Sequence, residues 1–274
     1  MPLYSASCIT SLKSEDGRFL RATVTGILIA CFLVFASVKP AHASLFVSIT
    51  SGATTDSCNN SLAVSATNCV AGLFTTTMNS NSLIFIGTVG GFSISTLSLN
   101  SNAPGDSSFG YDTTGVINVT NTNSSSASLT VDFSTFNMTL PTGLLSLSGS
   151  DSASWNKAAA GDNQALTVYG NPSNSLTGGT ATLTASPCVS PSSVAPPQST
   201  TQCSGGTPPQ VATFTNTSSY ALNAVDTISM EAGGIGSYTA GVNANAVPEP
   251  GTYLMLGLGL SGLAYLLQRR KRSS

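Results

Sequence analysis

The sequence predicts an all-β fold: a single β-sandwich or jelly-roll-like domain over residues 44–246, with two disulfides. An N-terminal signal peptide and a C-terminal transmembrane helix flank it. Three observations predict this class. Short apolar runs alternate with polar residues at a period of two, between breaks rich in Gly, Asn, Ser and Pro. β-Branched residues are abundant, and no stretch of this region spaces its apolar residues helically. Four cysteines bracket two polar loops.

Residues 1–43 read as an export signal. Arg18 and Arg21 precede the apolar stretch Ala22–Val38, and Pro40 breaks it. Ala41-His42-Ala43 is a small-x-small cleavage site, which makes Ser44 the first mature residue. An uncleaved anchor of seventeen residues would just reach across a bilayer, but the proline and the Ala-x-Ala signature favour cleavage. Leu28–Cys31 resembles a lipobox. Its apolar run continues beyond the cysteine, however, where lipid attachment needs it to end.

In the mature region the expected strands are Leu45–Thr50, Ser82–Leu99, Gly115–Thr120, Ser128–Leu140, Ala165–Gly170, Thr180–Thr184, Val211–Thr215 and Ala221–Met230. Leu129, Val131 and Phe133 fall two apart, so one face is buried while Thr130, Asp132 and Ser134 meet water. No repeat of fixed period is present, which disfavours a solenoid. Residues 187–210 form the one low-complexity interruption. They are read as a long disulfide-pinned, Pro-rich loop, since strand character resumes at once with Val211–Thr215.

Cys8 and Cys31 leave with the signal, and Cys58, Cys69, Cys188 and Cys203 remain with three possible pairings. Cys58–Cys69 and Cys188–Cys203 are favoured because each closes a short polar loop. Such a closure contributes about 3 kcal/mol, mostly by restricting the unfolded chain. A metal site is disfavoured: the spacings lack C-x-x-C, and the only histidine, His42, is lost with the signal.

Charge narrows the function. Of nine Lys and Arg residues only Lys157 lies between Ser44 and Val247; seven Asp and one Glu there leave a net charge near −7. Ser, Thr and Asn supply roughly two-fifths of this region, whose charged share is far below that of an ordinary domain. Nucleic-acid binding is excluded, because phosphate neutralisation needs clustered Lys or Arg. Catalysis is not expected: no Ser-His or Cys-His arrangement remains, and no local pattern pairs two of the eight acids as a glycosidase requires. Asp132, Asp226 and Glu231 are the acids considered and set aside. No cofactor is expected. Asp106 and Asp112 lie in a turn-rich stretch that offers oxygens to Ca²⁺, but the EF-hand pattern is absent and turn stabilisation is the ordinary role of such aspartates. Asn59, Asn118, Asn123, Asn137 and Asn216 stand in N-x-S/T sequons, which a Ser/Thr/Asn-rich chain produces by chance.

The tail, residues 247–274, carries the clearest signal. Residues 251–268 hold no formal charge and as a helix would measure about 27 Å, close to the thickness of a hydrocarbon core. Arg269, Arg270, Lys271 and Arg272 follow as a basic stop that keeps the C-terminus cytoplasmic. Pro248 and Pro250 force Val247 and Glu249 out of helix, leaving an extended peptide just above the bilayer that a protease can grip. The match of Gly257–Gly262 to G-x-G-x-x-G lies inside this apolar span with no preceding strand, so a dinucleotide site is not expected; Gly257 and Ser261 read instead as a small-xxx-small helix-packing pair.

Pro248-Glu249-Pro250, the apolar run and the terminal basic cluster together resemble the PEP-CTERM sorting signal of Gram-negative bacteria, a tail family also labelled an ice-binding protein C-terminal domain. The resemblance covers about a tenth of the chain. It implies processing by an exosortase, a transient stay in the inner membrane, and delivery to the cell surface or the medium. Such substrates often accompany exopolysaccharide, which becomes the candidate outer partner. For the domain itself the expectation is a structural or adhesive matrix role, with a ligand-binding module for glycan or ice as the alternative. A plain, unprocessed single-span anchor is the other reading of the tail. Thr180, Thr182 and Thr184 share one face of a strand and suit ordered water, but one strand is too small for an ice plane.

Overall fold

The computed structural model describes residues 44–62, 65, 67–78, 80–190, 193, 201–206, 212–247 and 257–261. Among them, fifteen strands follow in order: β1 (Ser44–Ser51), β2 (Thr54–Asn59), β3 (Phe74–Thr76), β4 (Ser82–Val89), β5 (Phe92–Ser101), β6 (Phe109–Asn121), β7 (Ala127–Met138) and β8 (Gly143–Lys157). β9 (Asn163–Asn171), β10 (Ala181–Thr184), β11 (Cys188–Val189), β12 (Thr201–Gly206), β13 (Ala212–Asn216), β14 (Tyr220–Met230) and β15 (Ile235–Ala246) complete the set. The first sheet runs β10-β9-β14-β7-β1-β2, with β11 also on β9. The second runs β12-β8-β15-β6-β5-β4-β3, with β13 also on β8. The two stack face to face, β9 over β8 and β14 over β15 and β6.

Alternation builds the core between them. Leu45, Val47 and Ile49 of β1 and Leu129, Val131 and Phe133 of β7 are all fully buried, while Thr130 and Asp132 take the outer face as their parity requires. Trp155, Tyr220, Tyr238, Phe85 and Phe92 fill the remaining space.

Three expectations about elements are corrected. The run Ser82–Leu99 is two strands: Gly90 and Gly91, at φ 50° and 81°, reverse the chain in a two-residue hairpin that pairs Val89 with Phe92. Left-handed backbone at both turn positions is what glycine permits and other residues resist. The Pro-rich segment 187–210 is more than a loop, since β11 joins the first sheet and β12 the second, so the chain crosses between sheets there. β8 and β15, two of the longest strands, were not expected at all. Between Leu147 and Trp155 the inward positions of β8 are Gly149, Asp151 and Ala153, and Gly236, Ala240 and Ala244 flank Tyr238 and Val242 in β15, so the apolar alternation is interrupted on both. Small residues suit this place because large neighbours occupy the volume: a Cβ on Gly236 would lie 2.6 Å from the Tyr238 hydroxyl.

A disulfide joins Cys58 and Cys69 across eleven residues, as expected. Asn60 in the loop it closes accepts a 2.7 Å hydrogen bond from the Leu45 amide, so the bridge also clamps the start of β1.

Candidate functional site

The tail leaves the domain from the middle of a sheet. β15 lies between β8 and β6, with Ala246 opposite Leu145 and Asn245 opposite Phe109. The Ala246 amide donates to the Ser108 carbonyl at 2.8 Å, and the Val247 amide to the Leu144 carbonyl at 2.9 Å. Pro248 comes next and has no N–H to continue the pairing. The folded domain therefore holds the root of the tail on both sides up to Val247.

Pro248, Glu249, Pro250 and the stop Arg269–Arg272 lie outside the described residues, as do Ala41, Ala43 and Cys203's side chain. Ser44 opens β1 and is buried. Residues 257–261 are helical, which disagrees with a dinucleotide turn; there the Ser261 hydroxyl donates to the Gly257 carbonyl at 2.7 Å, one turn back along the same helix. Among the described residues no helix is long and apolar enough to cross a membrane.

A second unusual feature is buried. Asp112 on β6, Asp151 on β8 and Asp226 on β14 all point between the sheets, at most 3 % exposed. Among the described residues both carboxylate oxygens of Asp112 and of Asp151, and Oδ1 of Asp226, have no hydrogen-bond partner. Asp226 Oδ2 accepts from Gln164 Nε2 at 2.9 Å, and the same amide donates to the Thr239 carbonyl at 2.9 Å, tying the first sheet to the second. Thr239 sits at a bulge where β15 slips against β6. Thr114 repairs the gap by bonding both the amide and the carbonyl of Ala240.

Among the described residues Lys157 is the one basic side chain. Lys157 spends its ammonium on the Ala232 carbonyl at 3.0 Å. Burial pushes the Asp226 carboxyl up to about 8; the Gln164 bond opposes that rise and the negative charge of Asp151 adds to it. Burial raises Asp151 to about 6. It raises Asp112 well above the usual range, with Thr135 across the gap offsetting part of the effect. Burial thus shifts all three acids toward the protonated form, Asp226 most plainly, because an unpaired ion in the core is expensive. Trp155 and Tyr238 pack edge-on beside them, ring centres 6.2 Å apart.

The acids considered in sequence do not assemble. Asp132 lies on the outer face of the first sheet and Asp226 on its inner face, on neighbouring strands. Glu231 follows β14, its amide held by both oxygens of Asp162 at 3.1 Å. Asp106 and Asp112 do not meet: Asp112 is in the core, whereas Asp106 accepts from the Ser108 amide and hydroxyl at 2.7 Å and from the Phe109 amide at 2.9 Å. The Ser108 hydroxyl and these amides hold the Asp106 carboxyl below its usual value, as in an ordinary turn. Among the described residues no three His, Cys, Asp or Glu side chains converge on a metal position. All five sequon asparagines are engaged, and Asn216 is buried with its amide on the Pro141 carbonyl at 3.1 Å.

The outer face of the first sheet is a field of hydroxyls. Register aligns Thr227, Thr130, Thr50 and Thr55 in one row across four strands. Thr182 and Thr184 of β10 point the same way, while Thr180 falls just before the strand, and the Thr184 and Thr167 hydroxyls lie 3.3 Å apart.

Sheets and disulfide define a two-sheet β domain whose last strand, β15, leads directly into the C-terminal segment. Residues 246–271 match the family model of the PEP-CTERM protein-sorting motif, beginning at the final residue of β15. The chain thus carries that motif, which marks it as an exosortase-targeted extracellular protein, exported and transiently anchored in a membrane. No curated protein matches the chain.

Proposed function

We propose that this is a non-catalytic surface or matrix protein of a Gram-negative bacterium, delivered through its PEP-CTERM tail and structural or adhesive within exopolysaccharide. The observation that carries the reading is the sorting motif starting where β15 ends. Residues 1–43 direct export, residues 251–268 form the transient anchor, and Arg269–Arg272 keep the terminus in the cytoplasm. Exosortase then acts on the extended peptide around Pro248-Glu249-Pro250, and the domain passes to the cell surface or beyond.

Several features support the role of the domain. Its surface carries one Lys and is dominated by hydroxyls and amides, which make many weak contacts to neutral sugars without charge repulsion. Its buried acids serve no catalytic pairing, since none is open to solvent. A second bridge, Cys188–Cys203, belongs to this reading: Cys188 on β11 is a disulfide cysteine, and Cys203 is on β12 in the opposite sheet, so the bond would staple the two layers. The threonine row favours one further reading, a glycan-binding module acting through the outer face of the first sheet.

The test is replacement of Pro248, Glu249 and Pro250 by Ala in the native host, followed by fractionation. The expected outcome is full-length protein retained in the inner membrane. Undiminished release would overturn exosortase processing. A specific glycan-array signal lost on Thr130→Val and Thr227→Val would move the domain from matrix component to ligand binder.

A further inference from the structure

Apolar side chains gather where the tail leaves the sandwich. Phe109 opens β6 and Leu144 lies near the start of β8, on the strands either side of β15, and both point outward, 39 % and 45 % exposed. With neighbouring strands about 4.8 Å apart, the two stand roughly 10 Å from each other across the tail root. Leu140, 38 % exposed, sits in the loop before β8; its amide donates to the Pro104 carbonyl at 2.9 Å and its carbonyl accepts from the Tyr220 hydroxyl at 2.8 Å. Tyr111 stacks beside Phe109 with ring centres 6.1 Å apart. This rim is held rigidly, because the carbonyls of Ser108 and Leu144 are the ones that grip Ala246 and Val247.

The length of chain beyond the rim says what covers it. Four residues, Val247–Pro250, separate the last paired amide from the apolar span, and fully extended they reach at most about 14 Å. While the tail is in the membrane, this end of the sandwich cannot stand farther from the bilayer than that. The opposite end is one strand length away: β6 runs thirteen residues from Phe109 to Asn121, or about 40 Å.

The geometry points to Phe109, Leu140 and Leu144 as a membrane-facing rim that rests in the lipid headgroup region while the protein is anchored. The partner is the bilayer surface itself, engaged by apolar insertion. The rim offers no basic side chain and carries Asp106 at its edge, so attraction to anionic lipid plays no part, and zwitterionic lipid suffices. Docking would fix how the domain presents the Pro-Glu-Pro peptide above the membrane. The inference rests on the anchored stage of the reading above.

The test uses the full chain reconstituted in phosphatidylcholine vesicles, some containing lipid with a nitroxide quencher. A fluorophore is attached through Ser107→Cys, at the rim, or through Ser124→Cys, in the exposed turn at the far end. The expected result is several-fold stronger quenching at position 107 than at 124, unchanged by 0.5 M salt (roughly, a Debye length of a few Å). Adding Phe109→Ser and Leu144→Ser, both exposed and therefore tolerated by the fold, should bring position 107 down to the level of 124. Equal quenching at both positions in vesicle-bound protein overturns the inference alone. Shielding of position 107 only when exosortase is also in the vesicles overturns it in favour of the enzyme as occupant. Failure of the chain to enter vesicles at all overturns the anchored stage and this inference together.

Discussion

Raising the pH from 6 to 8 should weaken this sandwich, because the native state keeps a proton on Asp226 that the unfolded chain has lost. The carboxyl sits at about 8 in the core against 3.8 as its ordinary value. A group raised in this way contributes stability that is complete below about 3.8 and disappears as pH climbs through 8. Between those limits each retained proton makes stability fall by about 1.4 kcal/mol per pH unit. From pH 6 to 8, with the group half titrated at the upper limit, Asp226 alone should therefore remove about 2 kcal/mol, a sizeable part of the roughly 5–15 kcal/mol of an ordinary domain. Asp151, raised to about 6, steepens the slope below pH 6, and Asp112 acts in the same direction. The perturbation is Asp226→Asn, which keeps the shape and an acceptor for Gln164 while abolishing the titration. Urea unfolding followed through Trp155, the only tryptophan and fully buried beside Tyr238, reads the difference. The variant should gain about 2 kcal/mol on the native protein between pH 6 and pH 8. Parallel pH profiles for the two would refute the argument that burial without a counter-ion holds this acid protonated.

Three other perturbations follow from particular contacts. Replacing Cys58 and Cys69 together by Ser should cost about 3 kcal/mol, seen as a lower urea midpoint that reductant does not shift further, because the loop they close spans eleven residues. Gly90→Ala should destabilise by about 2 kcal/mol in thermal melting, since its φ is +50° and a Cβ there would press on the Ser51 carbonyl. Tyr220→Phe should cost about 1 kcal/mol by the same measurement, through loss of the 2.8 Å bond to the Leu140 carbonyl.

Much of the sandwich is legible along the chain because its information is local. Parity in Leu129-Thr130-Val131-Asp132-Phe133 assigns each side chain to a face, and the ladder of β7 obeys it. The spacing of Cys58 and Cys69 announces their bond. The same parity in Leu222, Ala224, Asp226, Ile228 and Met230 places an aspartate on the apolar face, a signal that could have marked the buried acid. β8 and β15 escape sequence reading because small or polar inward residues, Gly149, Asp151 and Ala153 on one and Gly236, Ala240 and Ala244 on the other, interrupt their apolar alternation. Tyr238 fills the space beside Gly236.

The tail is the extreme local case: Pro248-Glu249-Pro250, the uncharged span and the basic cluster are contiguous, and residue order alone suffices to match the sorting motif. That Asp151 and Asp226 share one buried interior, and that Phe109 and Leu144 border the tail root, was settled only by how the strands pair and the sheets stack. Those residues are far apart in the chain, and neighbourhood in space is fixed by ladder register and sheet packing, which no short stretch of sequence encodes.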